Sequence, residues 1–118
     1  MEPDVLHARR AAYVRLLQDA LDTAVEKLQK LEGVTHIGVF GSYARGRRDL
    51  LTDLDLLVIM DTSLDFVKRL RFLYAYLSLP VDVDLFCYTP QEFEAQKGQK
   101  FWQHVLKEER VLYEKHTF

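Results

Sequence analysis

Val39-Phe40-Gly41-Ser42-Tyr43-Ala44-Arg45-Gly46 and, after a short polar connection, Thr52-Asp53-Leu54-Asp55-Leu56-Leu57-Val58 form the stretch from which the rest of the chain can be read. The β-branched and aromatic run from Val34 to Phe40 ends at Gly41, the pattern of a buried strand that gives way to a sharp turn. Ser42 to Gly46 has room for one or two helical turns, and Leu54 to Met60 reads as a second strand. Alternation along that strand puts Asp53 and Asp55 on one face, about 6 to 7 Å apart along the backbone. Two ionised carboxylates so close repel one another, and a fold tolerates them where a cation or protons compensate. Oxygen donors of this kind suit Mg²⁺ or Mn²⁺. An isolated Asp-x-Asp can equally cap a sheet edge and face water. At Gly41-Ser42 the backbone N–H groups and the serine hydroxyl would face an incoming anion. Arg45, Arg47 and Arg48 add a local cationic cluster to a chain that is slightly acidic as a whole.

Outward from this stretch, apolar residues at Leu6, Tyr13, Leu17, Ala20, Leu21, Ala24, Leu28 and Leu31 recur at three- and four-residue steps, predicting an amphipathic helix over residues 4–32 stopped by Gly33. Asp61, Thr62 and Ser63 read as the start of a second main helix that runs from Leu64 to Leu77. Val81 to Tyr88 reads as a third strand. Thr89 and Pro90 then read as the cap and first residue of a helix that reaches about Glu108, with a break at Gly98. Val111 to Tyr113 closes the chain as a short edge strand. This alternation predicts an α/β (α+β) fold, a small mixed β-sheet with helices packed on it. Residues 1–118 read as one domain, an N-terminal helix over 4–32 and a core over 34–113 that carries the chemistry.

The 118 residues are 48% apolar and 29% charged, enough for a packed core without disulfides or a structural metal. The single Cys87 can form no internal bridge, which points to a reducing compartment. No apolar run is long enough to cross a bilayer, and the start of the chain is acidic where a secretory leader would be basic, so a cytoplasmic protein with no membrane contact is expected. Sixteen basic and eighteen acidic side chains leave a net charge of −2, and direct nucleic-acid binding is not expected. The third strand carries Asp82 and Asp84 on one face. Were it the neighbour of the second strand, either acid could complete a three-carboxylate site able to hold two divalent ions and to take a proton from an attacking hydroxyl.

Gly41-Ser42, ten residues, then Asp53-Leu54-Asp55 resembles the Gly-Ser-x10-Asp-x-Asp signature of the DNA polymerase β-like nucleotidyltransferase superfamily. Four residue types at those offsets would arise by accident on the order of once in a thousand chains of this composition. The surrounding residues, the Thr89-Pro90-Gln91-Glu92-Phe93 helix start and the closing Glu109-Arg110-Val111-Leu112-Tyr113 segment look like the minimal nucleotidyltransferases, so the likeness covers nearly everything after the first helix. It implies that Gly41, Ser42 and Arg45 bind the phosphates of a nucleoside triphosphate, ATP or another. It also implies that Asp53 and Asp55 ligate two Mg²⁺ ions and that a third-strand acid completes the metal site as general base. The position of that acid relative to the Tyr-Thr-Pro-like helix start favours Asp84, with Asp82 as the alternative. Thr52 stands where relatives often have Ser, which keeps the hydroxyl.

Minimal nucleotidyltransferases resemble the antitoxin halves of toxin–antitoxin pairs, and the likeness implies AMP transfer to a hydroxyl of a HEPN-family toxin partner. Val5, Val14 and Val25 lie partly off the main stripe of the first helix, leaving an apolar strip for that partner or for self-association. A second reading is a binding module that neutralises its toxin by complex formation without catalysis. A metal-dependent nuclease could use the same acids but seldom needs a Gly-Ser turn. Elsewhere, His7, His36, His104 and His116 show no metal-ligand spacing, Cys87 reads as a buried hydrophobe, and Phe101 and Trp102 read as core. Tyr43 is a weaker candidate for base or ribose contact, and Lys68, Arg69 and Arg71 read as a solvated helix face.

Overall fold

A computed structural model describes residues 3–115, so His116 lies outside the described residues. The chain runs α1 (Pro3–Gln29), β1 (Val34–Phe40), α2 (Gly41–Ala44), β2 (Leu54–Met60), α3 (Phe66–Leu77), β3 (Val83–Tyr88), α4 (Pro90–Gln96), α5 (Lys100–Glu108) and β4 (Arg110–Glu114). Four strands form one mixed sheet in the order β3-β2-β1-β4, with β1 antiparallel to β2 and β4 and with β2 parallel to β3. The parallel step needs a crossover, and α3 supplies it. This is the mixed α/β sheet that the alternation predicts.

Both faces of the sheet are covered, because the alternating residues of β2 divide between two cores. Leu54, Leu56 and Val58 pack with Ile37 and Val39 under Leu17, Ala20, Leu21, Ala24 and Leu28 of α1 and Leu73 and Leu77 of α3. Leu57 and Ile59 pack on the opposite side with Phe40, Trp102 and Val105, and Phe86, Tyr88 and Phe93 lie against them. Trp102 is thus core, as expected, while its neighbour Phe101 is exposed. Cys87 is buried, and burial pushes its thiol up to about 11. At about 25 cal/mol per Å² of buried apolar area, closing two faces rather than one is what lets so short a sheet stand. Among the described residues no helix is long and apolar enough to cross a membrane.

Several expectations need correction. Leu6 does not join the core: every side chain from Asp4 to Ala12 is exposed, so the first turns of α1 run past the sheet. The cap of α3 is Asp65, whose carboxylate accepts from the Lys68 N–H at 2.9 Å, and not a residue of the Asp61-Thr62-Ser63 run. β3 begins at Val83 rather than Val81. Arg69 is not solvated. It is 3% exposed and donates to Glu92 at 2.5 and 3.2 Å, to the Leu64 carbonyl at 2.8 and 3.2 Å and to the Cys87 carbonyl at 3.3 Å, tying α3 to β3 and α4. Glu92 also closes the capping box at Thr89, so α4 starts where the Thr-Pro pattern puts it.

His36, which the sequence gives no metal-ligand spacing, has a structural role. Its Nε2 donates to Glu109 Oε2 at 2.7 Å, with Glu109 only 4% exposed, and its Nδ1 lies 3.7 Å from Glu114. The Glu109 carboxylate lies against Gly38, where a Cβ would overlap it, which is why β1 carries a glycine in mid-strand. The bond to Glu109 raises the His36 pKa, burial opposes it, and the Glu109 and Glu114 charges add to the rise. A raised histidine stabilises the fold fully below its unfolded value of about 6.5, and that contribution is lost as pH climbs through the folded value. Urea unfolding from pH 6 to 9 should therefore lose roughly 1–2 kcal/mol that His36→Gln does not lose. Parallel profiles for the two proteins would show that the pair carries no such stability.

Candidate functional site

Strand register assembles the site at one end of the sheet. Antiparallel pairing sets Phe40, the last residue of β1, opposite Asp55, and parallel pairing sets Asp55 opposite Asp84. The Gly-Ser turn and two of the acids therefore meet without any loop having to bring them together. Gly41 has φ +75°, a left-handed backbone, and a Cβ there would overlap Asp55 Oδ2. Only glycine satisfies both demands. Ser42 Oγ accepts from the Asp53 N–H at 3.4 Å, which joins the turn to the first acid as well.

The acids differ in surroundings. Asp55 is half-buried, and its pKa is pushed up to about 6, first by burial, then by the Asp84 charge and a hydrogen bond with Asp84, then by the Asp53 charge. Arg45 only partly opposes this. Asp53, Asp82 and Asp84 are exposed, and with Val83 they line a cleft of about 340 Å³. Tyr13 of α1 borders the same edge: its hydroxyl donates to the Thr52 carbonyl at 2.9 Å, and burial, then Asp53 and Asp82, raise its pKa. Thr52 is fully buried, and its hydroxyl accepts from the Asp49 N–H at 2.9 Å, so it anchors the loop that leads into the acid pair.

Of the residues singled out from sequence, Gly41, Ser42, Asp53, Asp55 and Asp84 come together. Asp82 borders the cleft, but Asp84 is the acid in register with Asp55. Arg45 reaches the turn through a residue the sequence did not single out, Glu108 at the end of α5. Glu108 accepts from the Gly41 N–H at 3.1 Å and from Arg45 Nη1 at 3.1 and 3.3 Å. Burial raises the Glu108 pKa, but Arg45 and the Gly41 N–H outweigh it and hold the group below the ordinary carboxylate range. Sixty-odd residues separate the partners, so no local pattern could have marked this contact. The other two arginines are engaged elsewhere: Arg47 pairs with Asp49, and Arg48 stacks on the Tyr43 ring at 3.4 Å. Tyr43 itself is buried with its hydroxyl on Gln18, so it belongs to the core and not to a base-binding surface.

The donor set is one that a hard divalent cation favours: carboxylate oxygens, one of them raised in pKa by burial first and by its like-charged neighbours second. Among the described residues no three acidic, histidine or cysteine side chains are placed closely enough to hold a metal ion as they stand. Asp55 and Asp84 form the close pair, and Asp53 adds the weaker push on Asp55. Because the folded Asp55 pKa is raised, its stabilising contribution is full below about 3.8 and lost as pH rises to about 6. In metal-free buffer at pH 7.5, Asp55→Asn should therefore raise stability by roughly 1–2 kcal/mol, an advantage that shrinks below pH 5. Denaturant melts of the two proteins at both pH values check this, and an Asn variant no more stable at pH 7.5 would contradict the cost of ionising Asp55 in this half-buried, like-charged place.

Residues 22–118 match the family described as Polymerase beta, Nucleotidyltransferase. The protein adenylyltransferase MntA of Thermococcus cleftensis is 36% identical over 70 residues, which are 57% of this chain and 71% of that protein. A solved toxin–antitoxin with AMP-PNP superposes with a TM-score of 0.57 at 22% identity, over 80% of this chain and 73% of the other. The toxin–antitoxin MntA-HpeT superposes with a TM-score of 0.52 at 23% identity, over 89% of this chain and 72% of the other. At those identities the two structures speak for the fold. The family match and the MntA relative go further, and the chain belongs to the polymerase β nucleotidyltransferase family, among its MntA-like minimal members.

Proposed function

We propose that this nucleotidyltransferase transfers AMP from ATP to a hydroxyl of a partner protein, as the antitoxin of a toxin–antitoxin pair. The observation that carries the reading is the register Phe40–Asp55–Asp84, with Gly41 and Ser42 joined to the acids at the same sheet end. The name of the MntA relative, a protein adenylyltransferase, supports the reaction, and the toxin–antitoxin neighbours support the partner. That partner would be a HEPN-type toxin. Residues 1–118 are read as one catalytic unit.

In this reading the phosphates lie along Gly41, Ser42 and Arg45, whose backbone N–H, hydroxyl and guanidinium offer donors to the polyphosphate. The acceptor hydroxyl oxygen attacks the α-phosphorus in line with the leaving pyrophosphate, the bond to the β-bridging oxygen breaks, and the hydroxyl proton passes to Asp84. No side chain becomes covalently attached, since such transfers rest on positioning and charge neutralisation. Asp53, Asp55 and Asp84 would hold two Mg²⁺ ions, which when bound supply positive charge against the phosphate oxygens. Burial and the neighbouring Asp84 make Asp55 the acid whose ionisation most needs that charge.

The test is transfer of label from α-³²P-ATP with Mg²⁺ to a co-purified helical partner. Asp53→Ala and Asp84→Asn should each lower the transfer rate by roughly 100-fold or more, while Asp82→Asn should stay near wild type. A rate unchanged by Asp84→Asn would transfer the third-acid role away from it. Toxin neutralisation that survives Asp53→Ala, with no label on the partner in wild type, would support the non-catalytic binding module instead. Gly41→Ala, which forces a side chain against Asp55, should also abolish transfer.

A further inference from the structure

The Glu108 carboxylate holds donors that the reaction proposed above gives to phosphate. Its Oε1 accepts from the Gly41 N–H and its two oxygens share Arg45 Nη1, at 3.1 to 3.3 Å. The Glu108 side chain is 16% exposed while Arg45 is 57% exposed, so the carboxylate is largely covered and its guanidinium partner stays open to water. A phosphate oxygen and a carboxylate oxygen make the same charge-assisted bond to the same N–H. They cannot occupy one place together, and their like charges repel.

The surroundings separate the motion of this side chain from the motion of its helix. The next residue, Glu109, is pinned by His36 at 2.7 Å and lies against Gly38, so the backbone at the junction of α5 and β4 is held. On the other side α5 is fastened by buried Trp102 and Val105. Glu108 lies between these anchors, and its Oε2 is 3.7 Å from Nε2 of the exposed His104, one turn back. A change of side-chain rotamer toward His104 would free Gly41 and Arg45 with both elements left in place.

We propose that Glu108 is an internal stand-in for a nucleotide phosphate: it closes the Gly41–Arg45 seat in the nucleotide-free protein and must swing out toward His104 when a nucleoside triphosphate enters. The proposal rests on the reading of Gly41 and Arg45 as phosphate ligands. Nucleotide affinity is thereby reduced by the fraction of time the seat is filled from within, and the turn is kept in shape while empty.

The experiment is calorimetric titration of the full chain with Mg-AMP-PNP, comparing wild type, Glu108→Gln and Arg45→Met. Glu108→Gln keeps the size of the side chain and removes its charge, and should bind about ten-fold more tightly than wild type. Arg45→Met should bind more weakly. Wild-type binding with a Glu108→Gln affinity equal to or below it would overturn the proposal alone. Absence of binding by both proteins, or an Arg45→Met affinity equal to wild type, would overturn the phosphate reading and the proposal with it. Should Glu108→Gln not fold, the amide resonance of Gly41 in ¹⁵N,¹³C-labelled wild type serves. Its scalar coupling to the Glu108 carboxyl carbon should vanish on adding Mg-AMP-PNP, and a coupling that persists in the saturated protein would sink the idea.

Discussion

Repulsion between carboxylates held in register across β2 and β3 is the constraint around which the rest of the molecule is arranged. Asp55 and Asp84 face each other because two parallel strands pair residue for residue, and nothing short of breaking that pairing separates them. The strands cannot slip to relieve the strain, since a one-residue shift would turn Leu54, Leu56 and Val58 out of one core and Leu57 and Ile59 out of the other. The hydrophobic energy of two covered faces is thus what holds like charges together, and burial first, then the Asp84 and Asp53 charges, push the Asp55 pKa up to about 6.

The same end of the sheet manages its negative charge in three ways. At Asp55 burial and the neighbouring Asp84 push the pKa up to about 6. Asp53, Asp82 and Asp84 remain in contact with water across the cleft. Glu108 is compensated by Arg45 and by a backbone N–H at Gly41, and the absence of a Cβ at that glycine is what leaves room for Asp55 on its other side. One glycine therefore separates two carboxylates.

Legibility followed distance along the chain. β1 and β2 were legible to the residue, because each is a short apolar run closed by glycine or begun by acids, and so was the Thr89 cap, whose partners lie within four residues. The start of α3 was misread because Asp61, Thr62, Ser63 and Asp65 are all competent caps and only the packing of the helix selects one. Arg69 looked solvated from its Lys-Arg neighbourhood, and its burial depends on Glu92 and on carbonyls from two other elements. The three arginines form one cluster in composition, and the family resemblance singles out Arg45; in the fold Arg45 pairs with Glu108, while Arg47 pairs with Asp49 and Arg48 stacks on Tyr43.

By itself, then, the sequence determined the family and the residue types of the site, since a Gly-Ser turn and an Asp-x-Asp strand start are local patterns with a fixed spacing. It also determined the order of helices and strands, since periodicity is a property of consecutive residues. Only the tertiary structure decided which third-strand acid opposes Asp55, because that is a matter of register between strands separated by a whole crossover helix. It alone joined Gly41 to Glu108 and His36 to Glu109, because hydrogen bonds between distant segments leave no periodic trace in the chain that forms them.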